Sequence, residues 1–253
     1  MIDTLNNSEK HIYSQQGEDG VIATIIDEIG INEGFFVEVG VQNGRECNCR
    51  NLIDKNWYGL MFDCDDRYFN PVIHRYKNSF LNVQNKLITP ENILTILRND
   101  YKVDNIDLFS LDIDSNDYYV IKELIYGNNN SLIKPYKPKV LVLEYNSQLG
   151  PNDSISVKYD PDFKWDWTYY QGCSLMALVN LLKNDYSLVY CEHNGINCFF
   201  IRNDLMNNHF VKHEPKELFK PCNFACGPKW GNPEGVCGHP KMIKKENGAW
   251  VTV

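Results

Sequence analysis

The chain has 253 residues, 43% of them hydrophobic and 23% charged, and a net charge of −8. It is long enough to bury a full core as one domain or as one domain with an appendage. Its acidic balance, with no basic block, excludes nucleic acid and anionic membrane as main partners. No apolar run reaches bilayer-spanning length. Residues 1–7 lack the basic and apolar regions of a signal peptide, so the expected compartment is the cytoplasm and the nine cysteines are expected as reduced thiols.

Residues 11–30 begin with a polar stretch holding Gln15, Glu18 and Asp19. Val21, Ile22, Ile25, Ile26 and Ile29 then recur on one helix face, and Gly30 is the stop. A short apolar strand closes in Glu38 and runs into a turn carrying Gly40, Asn43 and Gly44. In a parallel sheet this is where a ligand binds, and the glycines let the backbone come close to it. A helical segment follows around residues 49–55. The next strand ends in Asp63, about twenty residues past the turn, where a ribose-binding acid belongs. Carboxylates so near would repel a pyrophosphate. S-adenosylmethionine, with its ammonium, sulfonium and ribose diol, suits them.

Further along, a short strand is expected near residues 79–83, and a helix over 89–100 with Thr89 as N-cap and Pro90 at its first position. Strands over 106–112 and 140–144 end in Asp112 and Glu144, with a helix through Val120, Ile121 and Leu124 between them. Residues 146–170 read as an aromatic, acidic loop and 174–183 as a helix. Residues 186–191 and 198–202 form an antiparallel hairpin around 192–197. The order predicts an α/β, Rossmann-like class I methyltransferase fold: a mostly parallel seven-stranded sheet with a terminal antiparallel hairpin and helices on both faces.

Asp112, Asp114, Asp117, Glu144 and Asn146 fall at or just past two strand ends. Such a group needs a cation, a shared proton or a hydrogen-bonding substrate. Oxygen ligands of this kind suit Mg²⁺ or Ca²⁺, here on Asp112, Glu144 and Asn146. A bound metal could lower the pKa of a hydroxyl to be methylated. The alternative is that Asp112 and Asp114 cap the helix starting near Asp117. Asp114 is the first choice of base and His193 the second. Tyr145, Trp165, Trp167, Tyr169 and Tyr170 could wall an acceptor, with loop packing as their plain role. The remainder, residues 206–253, is an extension rich in Cys, Gly and Pro beyond a domain of residues 1–205. In it Cys222, Cys226, Cys237 and His239 could hold a structural Zn²⁺, form a disulfide or stay unlinked.

The stretch Ser14-Gln15-x-Gly17-Glu18-Asp19, the strand and turn to Gly44, Trp57-Tyr58-Gly59 leading to Asp63, and Asp112-x-Asp114 together resemble the FkbM-type S-adenosylmethionine-dependent methyltransferases. The likeness covers residues 12–205. The Tyr169-Tyr170-x-Gly172-x-Ser174-Leu175 stretch and the strand from Asn197 to Arg202 resemble a branch associated with sugar and natural-product O-methylation. Two departures stand out. Gln42-Asn43 replaces the family's Ala-Asn, and Asp112-Ile113-Asp114-Ser115 replaces its aspartate-x-glutamate-glycine. The resemblance implies that Glu38 and Gly40, with Asn43 and Gly44 in the same turn, hold the methionine end of the cofactor. It also implies that Asp63 holds the ribose, that Asp112 stands at the cofactor's edge, and that Gln15, Glu18 and Asp19 lie near the cofactor or substrate mouth. The alternative for residues 15–19 is a helix N-terminus with its acids at the positive end of the dipole. Similar sugar and catechol O-methyltransferases place a divalent metal on residues matching Asp112 and Glu144.

The expected function is therefore O-methylation of a hydroxyl on a sugar or on a glycan or capsule precursor, with a phosphate or phosphoramidate group on it also open. The expected partner is a small-molecule or glycan-precursor acceptor, and a homo-oligomer stays open. One rival is a nucleotide-dependent oxidoreductase or epimerase, which would need a third glycine in the turn and a Tyr-x-x-x-Lys pair. The other is a non-catalytic binding module on the same fold.

Overall fold

The computed structural model describes residues 5–76, 81–127, 133–166, 168–223 and 250–253. Helix α1 (Glu18–Glu28) buries Val21, Ile22, Ile25 and Ile26, the stripe the spacing predicts. It ends as expected at Gly30, whose φ of +72° suits a residue without a Cβ. Strand β1 (Phe35–Val39), helix α2 (Arg50–Ile53), β2 (Tyr58–Asp63), α3 (Asp66–Tyr76) and β3 (Leu81–Asn85) complete the first half. Helix α4 (Ile93–Thr95), continued by a π-helical turn (Ile96–Asp100), then leads to β4 (Leu108–Leu111), α5 (Asp117–Tyr126) and β5 (Val140–Glu144). After β5 come a short β6 (Ile155–Val157), α6 (Leu175–Leu182), β7 (Tyr186–Cys191) and β8 (Asn197–Arg202). A 3₁₀ turn (Asn203–Leu205), α7 (Pro215–Leu218) and β9 (Trp250–Thr252) follow.

Seven strands form one sheet in the order β3-β2-β1-β4-β5-β8-β7. The first five are parallel, whereas β8 runs antiparallel to both β5 and β7. This is the class I methyltransferase arrangement, an α/β Rossmann-like fold closed by a hairpin. A dehydrogenase of the doubly wound type has no such inserted antiparallel strand.

The central strands alternate between two apolar cores. Val37, Val39, Phe109, Leu111, Leu141 and Leu143 face the core built with α4, α5 and α6. Phe36, Leu108, Val140 and Val142 face the core built with α1 and α2. Strands buried on both faces read as unbroken hydrophobic runs, which is why they are visible in the sequence. Across β1 and β2, Phe36 is paired with Gly59, and its ring lies over the glycine.

Three local expectations differ. The helix over 89–100 starts later, because Thr89 and Asn92 form a closed turn of their own. The Thr89 N–H donates to Asn92 Oδ1 at 2.9 Å, and the Asn92 N–H donates to Thr89 O at 3.2 Å. The strand after α3 lies two residues beyond its predicted start, at Leu81. Within residues 146–170, β6 pairs antiparallel with β9 near the end of the chain. That pairing joins segments about ninety residues apart, and no local pattern encodes it.

A Cβ placed on Gly59 would lie 2.4 Å from the Phe36 ring, which is itself fully buried. Gly59→Ala is therefore expected to cost about 1–3 kcal/mol by overpacking, read from the urea midpoint at unchanged m-value.

Candidate functional site

The carboxyl ends of β1, β2, β4 and β5 lie along one edge, and the sheet reverses its order between β1 and β4. A crevice opens at such a reversal. Gly40 sits there with φ +89°, and a Cβ on it would meet Asp112 O at 1.6 Å. Only glycine allows this approach, which sets the turn after β1 directly on the end of β4. The Gly40 N–H donates to Phe62 O at 2.9 Å. The Gln42 N–H, at a residue with φ +46°, donates to Asp63 Oδ2 at 2.6 Å. Asp63 Oδ1 accepts from the Asp65 N–H at 2.8 Å. Burial raises the Asp63 pKa above the usual carboxylate value. Further round the turn, Asn43 Oδ1 accepts from the Arg45 N–H at 3.0 Å, and Gly44, φ +70°, takes the Tyr76 hydroxyl on its carbonyl at 2.6 Å.

Glu38 has both oxygens on backbone. They accept the N–H groups of Asn48 at 2.7 Å and Cys49 at 3.0 Å. The carboxylate thus fixes the start of α2 under the glycine turn, while burial pushes its pKa up to about 7.

Asp112, Asp114 and Glu144 come together: one oxygen from each lies within 4.8 Å of the others. Asp117 does not join them. Its two oxygens accept the N–H groups of Ile113 and Ser115, both at 2.9 Å, and this clasp holds Asp114 in the left-handed region at φ +53°. Burial is the main reason these acids resist ionising. It pushes Asp112 up to about 7, with Asp117 adding to the rise, and it lifts Asp114 and Glu144 well above the carboxylate range, with Asp112 next in both cases. With their oxygens this close, the three acids cannot all be charged together unless a cation joins them. Asn146 has other commitments. Its amide donates to Tyr169 O at 2.8 Å and Gln171 O at 3.0 Å, and its Oδ1 accepts from the Gln148 N–H at 3.2 Å.

The other residues singled out in the sequence fall in different surroundings. Asp19 Oδ2 gathers the N–H groups of Ile12, Tyr13 and Ser14 at 2.6–2.8 Å, folding the segment before α1 into a loop. Glu18, fully buried, accepts from Gln16 N–H and Asn197 Nδ2, both at 2.9 Å, whereas Gln15 is exposed. His193 lies in the β7–β8 turn, its Nδ1 on Glu9 Oε1 and 3.1 Å from the Tyr190 hydroxyl. Tyr145 belongs to the core, and its hydroxyl donates to Lys220 O at 2.8 Å. Trp165 and Tyr169 are half-buried on the loop after β5, and Trp165 Nε1 donates to Thr168 O at 2.9 Å. Tyr170 is buried, accepts the Lys158 N–H at 3.0 Å and packs edge-on against Trp250. Cys222 is buried, while Trp167, Cys226, Cys237 and His239 lie outside the described residues.

Sequence reasoning gave Asn197, the first residue of β8, no site role, reading it at the junction of the hairpin turn and its second strand. It also missed Glu9, whose partners Tyr190 and His193 lie far away in the chain, and Glu192, which accepts the Asn194 and Ile196 N–H groups within the β7–β8 turn. A concavity of about 290 Å³ beside α5, lined by residues including Glu91, Tyr119, Lys122 and Tyr159, is separate; none of the three clustered acids lines it.

No protein-family model matches the chain, and no curated protein matches it. Solved structures do resemble it. An S-adenosylmethionine-dependent methyltransferase from Methanosarcina mazei is 14% identical over 70% of this chain and 94% of its own, with a TM-score of 0.42. The N-terminal domain of EvdMO1 with S-adenosylhomocysteine bound is 9% identical over 75% and 80%, with a TM-score of 0.45. A methyltransferase of the same cofactor from Clostridium acetobutylicum ATCC 824 is 12% identical over 73% and 90%, with a TM-score of 0.41. The strand order itself assigns the fold here.

Glu38 gives a measurable pH dependence. The unfolded chain releases this proton near 4.5, whereas the folded protein keeps it to about 7. Its contribution to stability is therefore full below the lower value, falls between the two and is level above the higher one. Glu38→Gln should remove that slope. It should also cost about 1–3 kcal/mol at low pH, because one of the two N–H groups then faces an amide donor. Urea unfolding of both proteins at several pH values checks this, and parallel slopes would refute it.

Proposed function

We propose that the protein is an S-adenosylmethionine-dependent O-methyltransferase acting on a hydroxyl of a sugar or glycan precursor, with a divalent cation at its acidic cluster. The observation that carries this reading is the meeting of Asp112, Asp114 and Glu144, within 4.8 Å of one another, beside the Gly40 turn at the reversal of the sheet.

The chemistry of that edge is one-sided. Asp63, Asp112, Asp114 and Glu144 offer acceptors, which suit a cationic ligand rich in donors and repel a diphosphate. Each Asp63 oxygen accepts one backbone N–H and keeps a lone pair for a ribose hydroxyl. The Gly40 turn, seated on the Asp112 carbonyl, would face the methionine portion. S-adenosylmethionine would supply an electrophilic methyl carbon on a sulfonium. Asp112 and Glu144 would hold the cation, which would lower the pKa of a hydroxyl bound to it. Asp114, next to both, is then placed to take the hydroxyl proton, and His193 stays in the β7–β8 turn on Glu9 as the second candidate. Methyl transfer needs alignment above all, and the clasp by Asp117 fixes the loop that carries Asp112 and Asp114. Trp165 and Tyr169 offer faces for stacking on the CH surface of a sugar ring.

Calorimetric titration tests the cofactor. S-adenosylhomocysteine is expected to bind, NAD is not, and Asp63→Ala should weaken the S-adenosylhomocysteine affinity about 10- to 100-fold. NAD binding in its place would overturn the reading. Screening nucleotide sugars and glycan fragments for release of the demethylated cofactor, with and without Mg²⁺, identifies the acceptor.

A further inference from the structure

Asn197 is paired with Glu144 across β8 and β5. Residues directly opposite in an antiparallel pair point to the same face, about 5 Å apart at Cβ. Asn197 therefore stands beside one of the three clustered acids. It is 3% exposed. Its Nδ2 donates to Glu18 Oε1 at 2.9 Å, while its Oδ1 is buried with no hydrogen-bond partner among the described residues. A buried acceptor left without a partner is destabilising, so native structures rarely leave one without a purpose.

Turning the amide over does not relieve it. The flipped Oδ1 would face the Glu18 carboxylate, exchanging a hydrogen bond for repulsion between two acceptors. Glu18 is fully buried, and its Oε2 is tied to the Gln16 N–H at 2.9 Å, so it cannot swing away cheaply. Glu18 holds one end of the Asn197 amide, and Glu144 stands opposite Asn197 across the strand pair. What would satisfy an amide oxygen held there is a cation or a donor, and every neighbouring carboxylate makes the same demand. Three oxygens, two of them charged, suit Mg²⁺, Mn²⁺ or Ca²⁺.

We infer that Asn197 Oδ1 is a ligand of a divalent cation held with Asp112 and Glu144, and that Glu18 is the positioning residue that fixes the amide with its oxygen toward the cation. This rests on the cation proposed above and replaces Asn146, whose side chain is engaged elsewhere, as its amide ligand.

The test is calorimetric and electron-paramagnetic titration of the full chain with Mn²⁺ alone, accompanied by thermal unfolding and an S-adenosylhomocysteine titration. The wild-type protein is expected to bind one Mn²⁺. Asn197→Ala should weaken it at least about tenfold, as should Asp112→Asn. Glu18→Gln keeps Asn197 but lets the amide turn over, and it should also weaken Mn²⁺ at least about tenfold. It serves as the independent test if Asn197→Ala fails to fold. Wild-type Mn²⁺ affinity in a folded Asn197→Ala protein, or in Glu18→Gln, would overturn the inference, as would a wild-type protein that binds no Mn²⁺. The S-adenosylhomocysteine titration reports on the methyltransferase reading separately, since a protein that binds the cofactor product but no cation loses only the inference.

Discussion

The constraint on which the site depends is a contact between two pieces of backbone: Gly40 against the carbonyl of Asp112. Parallel strands leave their carboxyl ends side by side, but they do not by themselves press one turn onto its neighbour. Here the absence of a single Cβ lets the turn after β1 rest on the end of β4. The segment that suits a cofactor and the loop that carries two of the three gathered acids become one surface. Any substitution that lifts the turn also moves the acids.

The acids are costly where they stand. Three carboxyl groups in a half-buried space cannot all ionise, and burial holds their protons on. Interior positions like these are cheaper to fill with apolar residues, and the strands just behind them are filled that way. The surrounding bonds oppose relaxation: Asp117 clasps the loop that holds Asp112 and Asp114, and Glu18 holds the amide of Asn197. An arrangement strained in this way and braced by its own neighbours fits a site shaped for a ligand better than one shaped for stability.

Much of the fold was legible because the strands are buried on both faces and end in acids. The runs closing at Asp63 and Glu144 are strands with those ends, β1 runs one residue past Glu38 to Val39, and Asp112 follows β4 directly. Tertiary closure was not legible. Asp63 is at the expected position, but only the folded chain shows that it also braces Gln42. Asp112 and Asp114 are one residue apart, yet only the left-handed backbone at Asp114 brings both to Glu144. Asn146 reads as a strand-end ligand and turns out to tie down the following loop, whereas Asn197 gains its interest from a cross-strand register that no local pattern records. Glu38 and Asp19 share a lesson: a carboxylate beside a glycine turn or a helix start often serves the backbone first.

The loop after β5 is stitched down by side chains such as Asn146, Asn116 and Tyr119 and, at one point, by main chain alone. Its strand β6 is laddered to β9, and Ser154 O accepts the Val253 N–H at 3.0 Å. Main-chain ladders are indifferent to which residues carry them. The part of the anchorage that the β6–β9 ladder supplies is thus decoupled from the loop's chemical identity. Residues of β6 and β9 that face outward can change without undoing that ladder, while the sheet beneath keeps its shape.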